Sequence, residues 1–390
     1  MYIEYRRIYN IHVRDPSIQQ TAPGLWIQSK AWDAFWILSS IWLLFGLLLA
    51  TIANAEPIFI TCCLTVGVLF SSFHTAGSLS TYFFSPQLAP YRRSQWFKFF
   101  LIPALISAIT IGLVTIGVKY DLSIFAENTR NHFNTYILLA TVYFSWNTWH
   151  CSFQHFGVFS IYRLRAGRDE PRFRAFDKYY CLFLTFVLVP LTWFDEQRHL
   201  GFIFQYFPPP SKGFFSGVIA IYLAIASFVL FTGVELLTRS PSPPRILYAA
   251  TVALQPIMSF ISFELYLLFF QLPHWITETG ILSRVHINYA KKVGVTKNYF
   301  SSVWLCLLAF LALVVIYSMN KGSNFLGSWY RTGRFDYAVL DNGISDMNLI
   351  LLQGSFLSFV FLHFYVETYL YRASDQVTRD GIIAHILSDR

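Results

Sequence analysis

The sequence predicts an all-α fold: a polytopic integral membrane bundle of nine or ten transmembrane helices. Three observations point there. First, 55% of the 390 residues are hydrophobic and only 13% are charged, and the mean hydropathy is +0.46. A soluble chain of this size needs more charge for its surface. Second, apolar segments of about 20 residues recur along the chain, the length at which a helix rising 1.5 Å per residue crosses hydrocarbon. Third, the net charge of +8 sits mainly in short connecting segments, where Lys and Arg orient spans toward the cytoplasm. That placement argues against nucleic acid as a partner.

Taken in order, residues 1–31 form a polar, basic segment with Arg6, Arg7, Arg14 and Lys30. It has no short apolar core before a cleavage site, so the first span itself directs insertion and the N-terminus is expected to be cytoplasmic. The transmembrane domain is expected over residues 32–371, with a tail at 372–390. Spans are predicted at 32–53, 58–84, 97–118, 134–162, 179–194 and 214–237. Proline-containing turns follow several of them, at Pro57, Pro86, Pro208 and Pro241. The segment 163–178 holds six basic residues against three acidic ones and reads as a cytoplasmic loop. Beyond it, 246–270, 300–318 and 349–371 are apolar.

The count depends on 262–297. Nine spans leave 274–297 outside the cytoplasm. Ten spans carry 263–286 back across and put more Lys and Arg inside, which fits the charge rule better. No Gly or Pro marks a turn near Ser262, and a re-entrant helix is a third option. The five cysteines all lie in apolar segments without a CxxC pair and read as small buried residues.

The chemistry-bearing residues are histidines and carboxylates inside these apolar runs. Burying them in hydrocarbon costs free energy, so a shared site is the default expectation. Residues 134–162 carry Asn147, His150, Gln154 and His155. His150 and Gln154 share a helix face, and His155 lies about 140° round from His150. His74 lies in span two. His274 and Glu278, and again His363 and Glu367, stand four apart, so imidazole and carboxylate share a face one turn apart. Such pairs hold a metal, or let a carboxylate orient an imidazole. The candidate metal ligands are therefore His74, His150, His155, His274, Glu278, His363 and Glu367, with Glu264 and His286 as further possibilities. The alternatives are hydrogen bonds to neighbouring helices, or water at an interfacial segment. Imidazole plus carboxylate suits iron, one or two ions, with zinc or manganese as alternatives. His12, His132, His199 and His385 read as solvated.

The HxxxxH of His150 and His155 resembles the first histidine box of membrane fatty-acid desaturases and hydroxylases, a resemblance covering six residues. The scatter of single histidines over several spans is similar to that of Brp/Blh-type membrane β-carotene dioxygenases. That resemblance implies an iron held by residues such as His74, His150, His155 and His363. The segment WHCSFQHFG also resembles the Trp-His segment of membrane-bound O-acyltransferases, which implies His150 as a general base.

The expected function is an intramembrane, metal-dependent oxidoreductase acting on an acyl or isoprenoid chain, with His150 and Gln154 at the reacting centre. Aromatic residues Trp146, Trp149, Phe153 and Phe156 are candidates to line the chain pocket. The expected partners are this lipophilic substrate, membrane lipids and a separate electron-donor protein, since the chain shows no redox domain of its own. Two alternatives stand beside it. One is an acyltransferase in which His150 takes a hydroxyl proton. The other is a transporter or a lipid- or pigment-binding subunit.

Overall fold

The computed structural model describes residues 25–85, 88–120, 135–166, 171–194, 217–238, 241–293 and 347–370. These residues are almost all helical, with no strand among them. Four helices are long and apolar enough to cross a membrane: Glu56–Phe84, Phe97–Ile116, Arg172–Thr192 and Val218–Leu236. A bent pair at 67°, Lys30–Trp36 with Ser39–Ile52, together meets the same test. That composition marks a membrane protein.

The segment expected as the first span is two helices, α1 (Lys30–Trp36) and α2 (Ser39–Ile52). Ser29 caps α1 by accepting the Trp32 N–H. Asp33 in α1 accepts the N–H groups of Ile27 at 2.9 Å and Gln28 at 3.1 Å, which pins the entering chain. α3 (Glu56–Phe84) has Pro at its start, where a missing N–H costs nothing. A short α4 (Ala89–Ser94) leads to α5 (Ile102–Tyr120). α6 (Thr135–Arg165) runs three residues beyond its expected end. The chain then folds into α7 (Pro171–Cys181) and α8 (Val189–Phe194), followed by α9 (Gly217–Leu236) and α10 (Pro243–Ile261). The short α11 (Phe263–Tyr266) leads into α12 (Leu272–Val293), and α13 (Met347–Leu370) closes the described part. The candidate span 300–318 and the chain ends lie outside the described residues.

Three π-helical turns interrupt these helices, at Phe97–Leu101, Leu182–Leu188 and Leu267–Gln271. Each ends two residues before a proline: Pro103, Pro190 and Pro273. Proline supplies no N–H and its ring crowds the carbonyl four residues back, so the preceding turn widens to the i→i+5 pattern. The third of these turns directly precedes His274.

One expectation is corrected, and a break that the sequence leaves open is located. The segment expected as a cytoplasmic loop at 163–178 is helical up to Arg165 and again from Pro171, so the helix of the expected fifth span begins earlier. Within it Arg163 and Asp177 are buried, not solvated, in an ion-pair network at the ends of four helices. Asp177 accepts from Arg163 at 2.9 Å and from Arg245 at 2.8 Å, and Arg245 also reaches Glu235 at 3.2 Å. Two cations and two anions balance there, and Arg245 also lies over the rings of Phe159 and Phe231. The apolar run from 246 does break near Ser262 without Gly or Pro. Ser262 is extended (φ −161°, ψ 162°) and its hydroxyl accepts the Leu265 N–H at 3.2 Å, starting the next helix as a serine cap does. Pro256 stays inside α10 and does not end it.

Helices α3, α6, α12 and α13 meet at the centre. Contacts between them rise in the same order on both partners. Ser78 meets Glu278 and Thr81 meets His286. His74 meets His363 and Tyr82 meets Tyr369. His150 meets His274 and Gln154 meets Glu278. The four helices therefore run parallel, and equivalent positions on each fall in one layer.

Candidate metal centre

Each of the four parallel helices contributes one imidazole and, one turn later, one polar side chain. The pairs are His74 and Ser78 on α3, His150 and Gln154 on α6, His274 and Glu278 on α12, and His363 and Glu367 on α13. The four-residue spacing sets both members on one face. Because the helices are parallel, the imidazoles form one layer and the side chains below them a second.

His74, His150, His274, His363 and Glu367 each offer a ligand atom, all within 4.8 Å of one another, and all five are buried. The Nε2 atoms of His150 and His274 are 3.2 Å apart. Two nitrogens about 2.1 Å from one ion at a right angle would stand roughly 3.0 Å apart. Glu367 lies 2.9 Å from His150 Nε2 and 3.4 Å from His363 Nδ1. Glu278 lies 3.0 Å from His74 Nδ1. Yet neither ring nitrogen of His74, nor Nδ1 of His274 or His363, makes a hydrogen bond of acceptable geometry. Buried polar atoms left without partners cost about 1–3 kcal/mol each. A cation in their midst would engage one nitrogen of each ring, so the donor set fits a metal ion.

The layer below is tightly wired. Gln154 Nε2 donates to Glu278 Oε2 at 2.7 Å. Ser78 Oγ lies 3.0 Å from Glu278, 2.5 Å from Glu367 and 2.9 Å from the His74 carbonyl. One hydroxyl proton cannot serve three acceptors, so this layer needs a further proton or cation between Glu278 and Glu367. Aromatic rings close the surroundings: Phe364 lies 5.2 Å from His150, and Trp146 stands 6.0 Å from Phe364.

Of the candidate ligands, the structure brings together His74, His150, His274, His363 and Glu367, with Glu278 at their edge. His155 lies outside this group. Its Nδ1 contacts the Tyr248 hydroxyl at 2.7 Å and its Nε2 the Gln255 amide at 2.9 Å, so both nitrogens are engaged. The 140° step from His150 aims it at α10. Glu264 is exposed at the start of α11, and His286 contacts Thr81 at 2.9 Å, away from the centre. Gln154 is a partner of Glu278, not a lone polar group. Trp149 is 41% exposed and meets Phe153 with tilted rings, whereas Trp146 packs against Phe361 and Phe364 beside His363. Ser78 was not foreseen, though its spacing from His74 repeats that of the two HxxxE pairs. His12, His132, His199 and His385 lie outside the described residues.

No family model, no curated protein and no solved structure matches this chain, so the geometry of the centre stands alone as the guide to what the protein does.

Proposed function

We propose that the protein is a multi-pass membrane oxidoreductase that uses one buried metal centre, iron by preference, to oxidise a lipophilic substrate such as an acyl or isoprenoid chain. The observation that carries this reading is the convergence of four imidazoles and a carboxylate from four helices. Nitrogen-rich sets completed by carboxylate oxygen suit non-haem iron, with zinc and manganese next. Helical bundles build such centres from facing helices. The iron would supply the oxidation chemistry. The chain's own residues would orient the imidazoles, through Glu278, Glu367, Ser78 and Gln154, and exclude water. Electrons would come from a separate donor protein.

The parallel course of α6 and α13 supports ten spans. Helices running in one direction are separated by an odd number of crossings. The described stretches between them supply four: α7–α8, α9, α10 and α11–α12. The sequence expectation of a span at 300–318 would supply the fifth. Lys and Arg placement supports a cytoplasmic N-terminus and, in a bacterium, the inner membrane. The transferase alternative draws no support, because His150 is one of four clustered imidazoles and not a lone base.

Metal analysis of the purified protein tests the reading. Iron should be bound in the wild type and lost in both His150→Ala and His363→Ala. Lipid extracts of expressing membranes should show a component that has gained oxygen or lost hydrogen, absent with either variant. A metal-free wild-type protein would refute the proposal.

A further inference from the structure

Resting on the metal-centre reading, we propose that the centre holds a single divalent cation, and that Glu278 and Glu367 together neutralise its charge. The argument is a charge count. Imidazoles bind metals in their neutral form, so His74, His150, His274 and His363 contribute no charge. Metal binding takes carboxylates in their ionised form and releases the proton that Glu278 and Glu367 otherwise share, so with the ion in place the two contribute two negative charges. The side chains that meet these carboxylates are His74, Ser78, His150, Gln154 and His363, and the two carboxyl groups also meet each other; none of these partners is Lys or Arg. Among the described residues, the buried cations Arg163 and Arg245 are already matched by Asp177 and Glu235.

One divalent ion therefore leaves the centre neutral. Two would leave two uncompensated positive charges in a site where every ligand is buried, and unpaired charge in such surroundings costs several kcal/mol. Dinuclear carboxylate bundles solve this with four carboxylates and two histidines on four helices. The present centre inverts that ratio. In the layer beneath the imidazoles only two of the four positions carry charge; Gln154 and Ser78 fill the other two as neutral hydrogen-bond partners.

Gln154 and Glu278 make the count testable, because they face each other across one hydrogen bond of 2.7 Å. Glu278→Gln removes a charge and should weaken binding about 100-fold. The swap Glu278→Gln with Gln154→Glu restores the charge and the bond, and should recover most of the loss. The experiment titrates metal-stripped, detergent-purified full-length protein with ferrous ion under anaerobic conditions, and with manganous ion in parallel, measuring bound ion per chain. Saturation at one equivalent is expected. Two equivalents overturn the single-ion proposal and leave the metal reading intact, whereas no binding overturns the metal reading itself. A swap variant that keeps the wild-type thermal transition yet fails to recover affinity overturns the charge-balance role. Should the swap not fold, Glu367→Gln must show the same loss as Glu278→Gln, and unchanged affinity there refutes the role.

Discussion

Gly280 lies two residues past Glu278 and faces the root of the Trp36 side chain on α1. A Cβ at this position would stand 2.7 Å from Trp36 Cβ and Cγ and 2.8 Å from Cδ2. Carbon atoms settle at about 3.5–4.0 Å, so three contacts fall short by roughly 0.8 Å. These atoms sit where the indole joins the backbone and cannot swing aside. Nor can α1 retreat easily. Asp33 holds it to Ile27, Gln28 and the Tyr162 hydroxyl, and the Thr277 hydroxyl donates to the Trp36 carbonyl at 3.0 Å. The strain must therefore be relieved by moving α12, which carries His274 and Glu278. Overpacking of this kind costs about 1–3 kcal/mol, partly offset by the better helix propensity of alanine, up to about 1 kcal/mol. Gly280→Ala should lower the thermal transition of the detergent-purified protein and weaken ion binding about tenfold, since misplaced supporting groups cost 10–100-fold. Gly112→Ala is the control: a Cβ there meets nothing within 4 Å, so stability should hold or rise. Gly280→Ala matching Gly112→Ala in both transition and ion affinity would show that the tight α1–α12 approach does not shape the centre.

Two further outcomes follow from the polar groups outside the centre. His155→Phe should leave bound ion per chain unchanged while costing about 1–3 kcal/mol, because the Gln255 amide and Tyr248 hydroxyl lose their partner; ion loss in a folded His155→Phe protein would return His155 to the ligand set. Asp177→Asn should be far more damaging, about 3–5 kcal/mol by thermal or denaturant unfolding, since it leaves Arg163 and Arg245 buried with one carboxylate between them. A negligible shift would mean that the network is hydrated.

The local pattern already held half of the centre. HxxxE at His274 and at His363 fixes imidazole and carboxylate on one face whatever the tertiary fold, because spacing alone sets helical phase. The lone His74 and its Ser78 follow the same rule, but serine carries no charge to draw attention to it. Some features could not be read this way. The 163–178 segment reads as a cytoplasmic loop because its charges are many; that Asp177 pairs with Arg245 as well as Arg163 depends on a helix 68 residues away. Ser262 breaks the chain by capping with its hydroxyl, which leaves no glycine or proline as a mark.

The sequence by itself determined an apolar, helical, membrane-embedded chain and its intramembrane imidazoles and carboxylates. Those properties come from composition and from periods of a few residues, which act within one helix. Only the tertiary structure decided that α3, α6, α12 and α13 run parallel, so that four turns of helix stack their polar residues in two layers. It alone separated His150, aimed into that centre, from His155, five residues on and aimed at Tyr248. Neighbours in sequence diverged because a helix turns about 100° per residue, and what each met was set by helices far along the chain, 93 residues on for Tyr248 and 124 for His274.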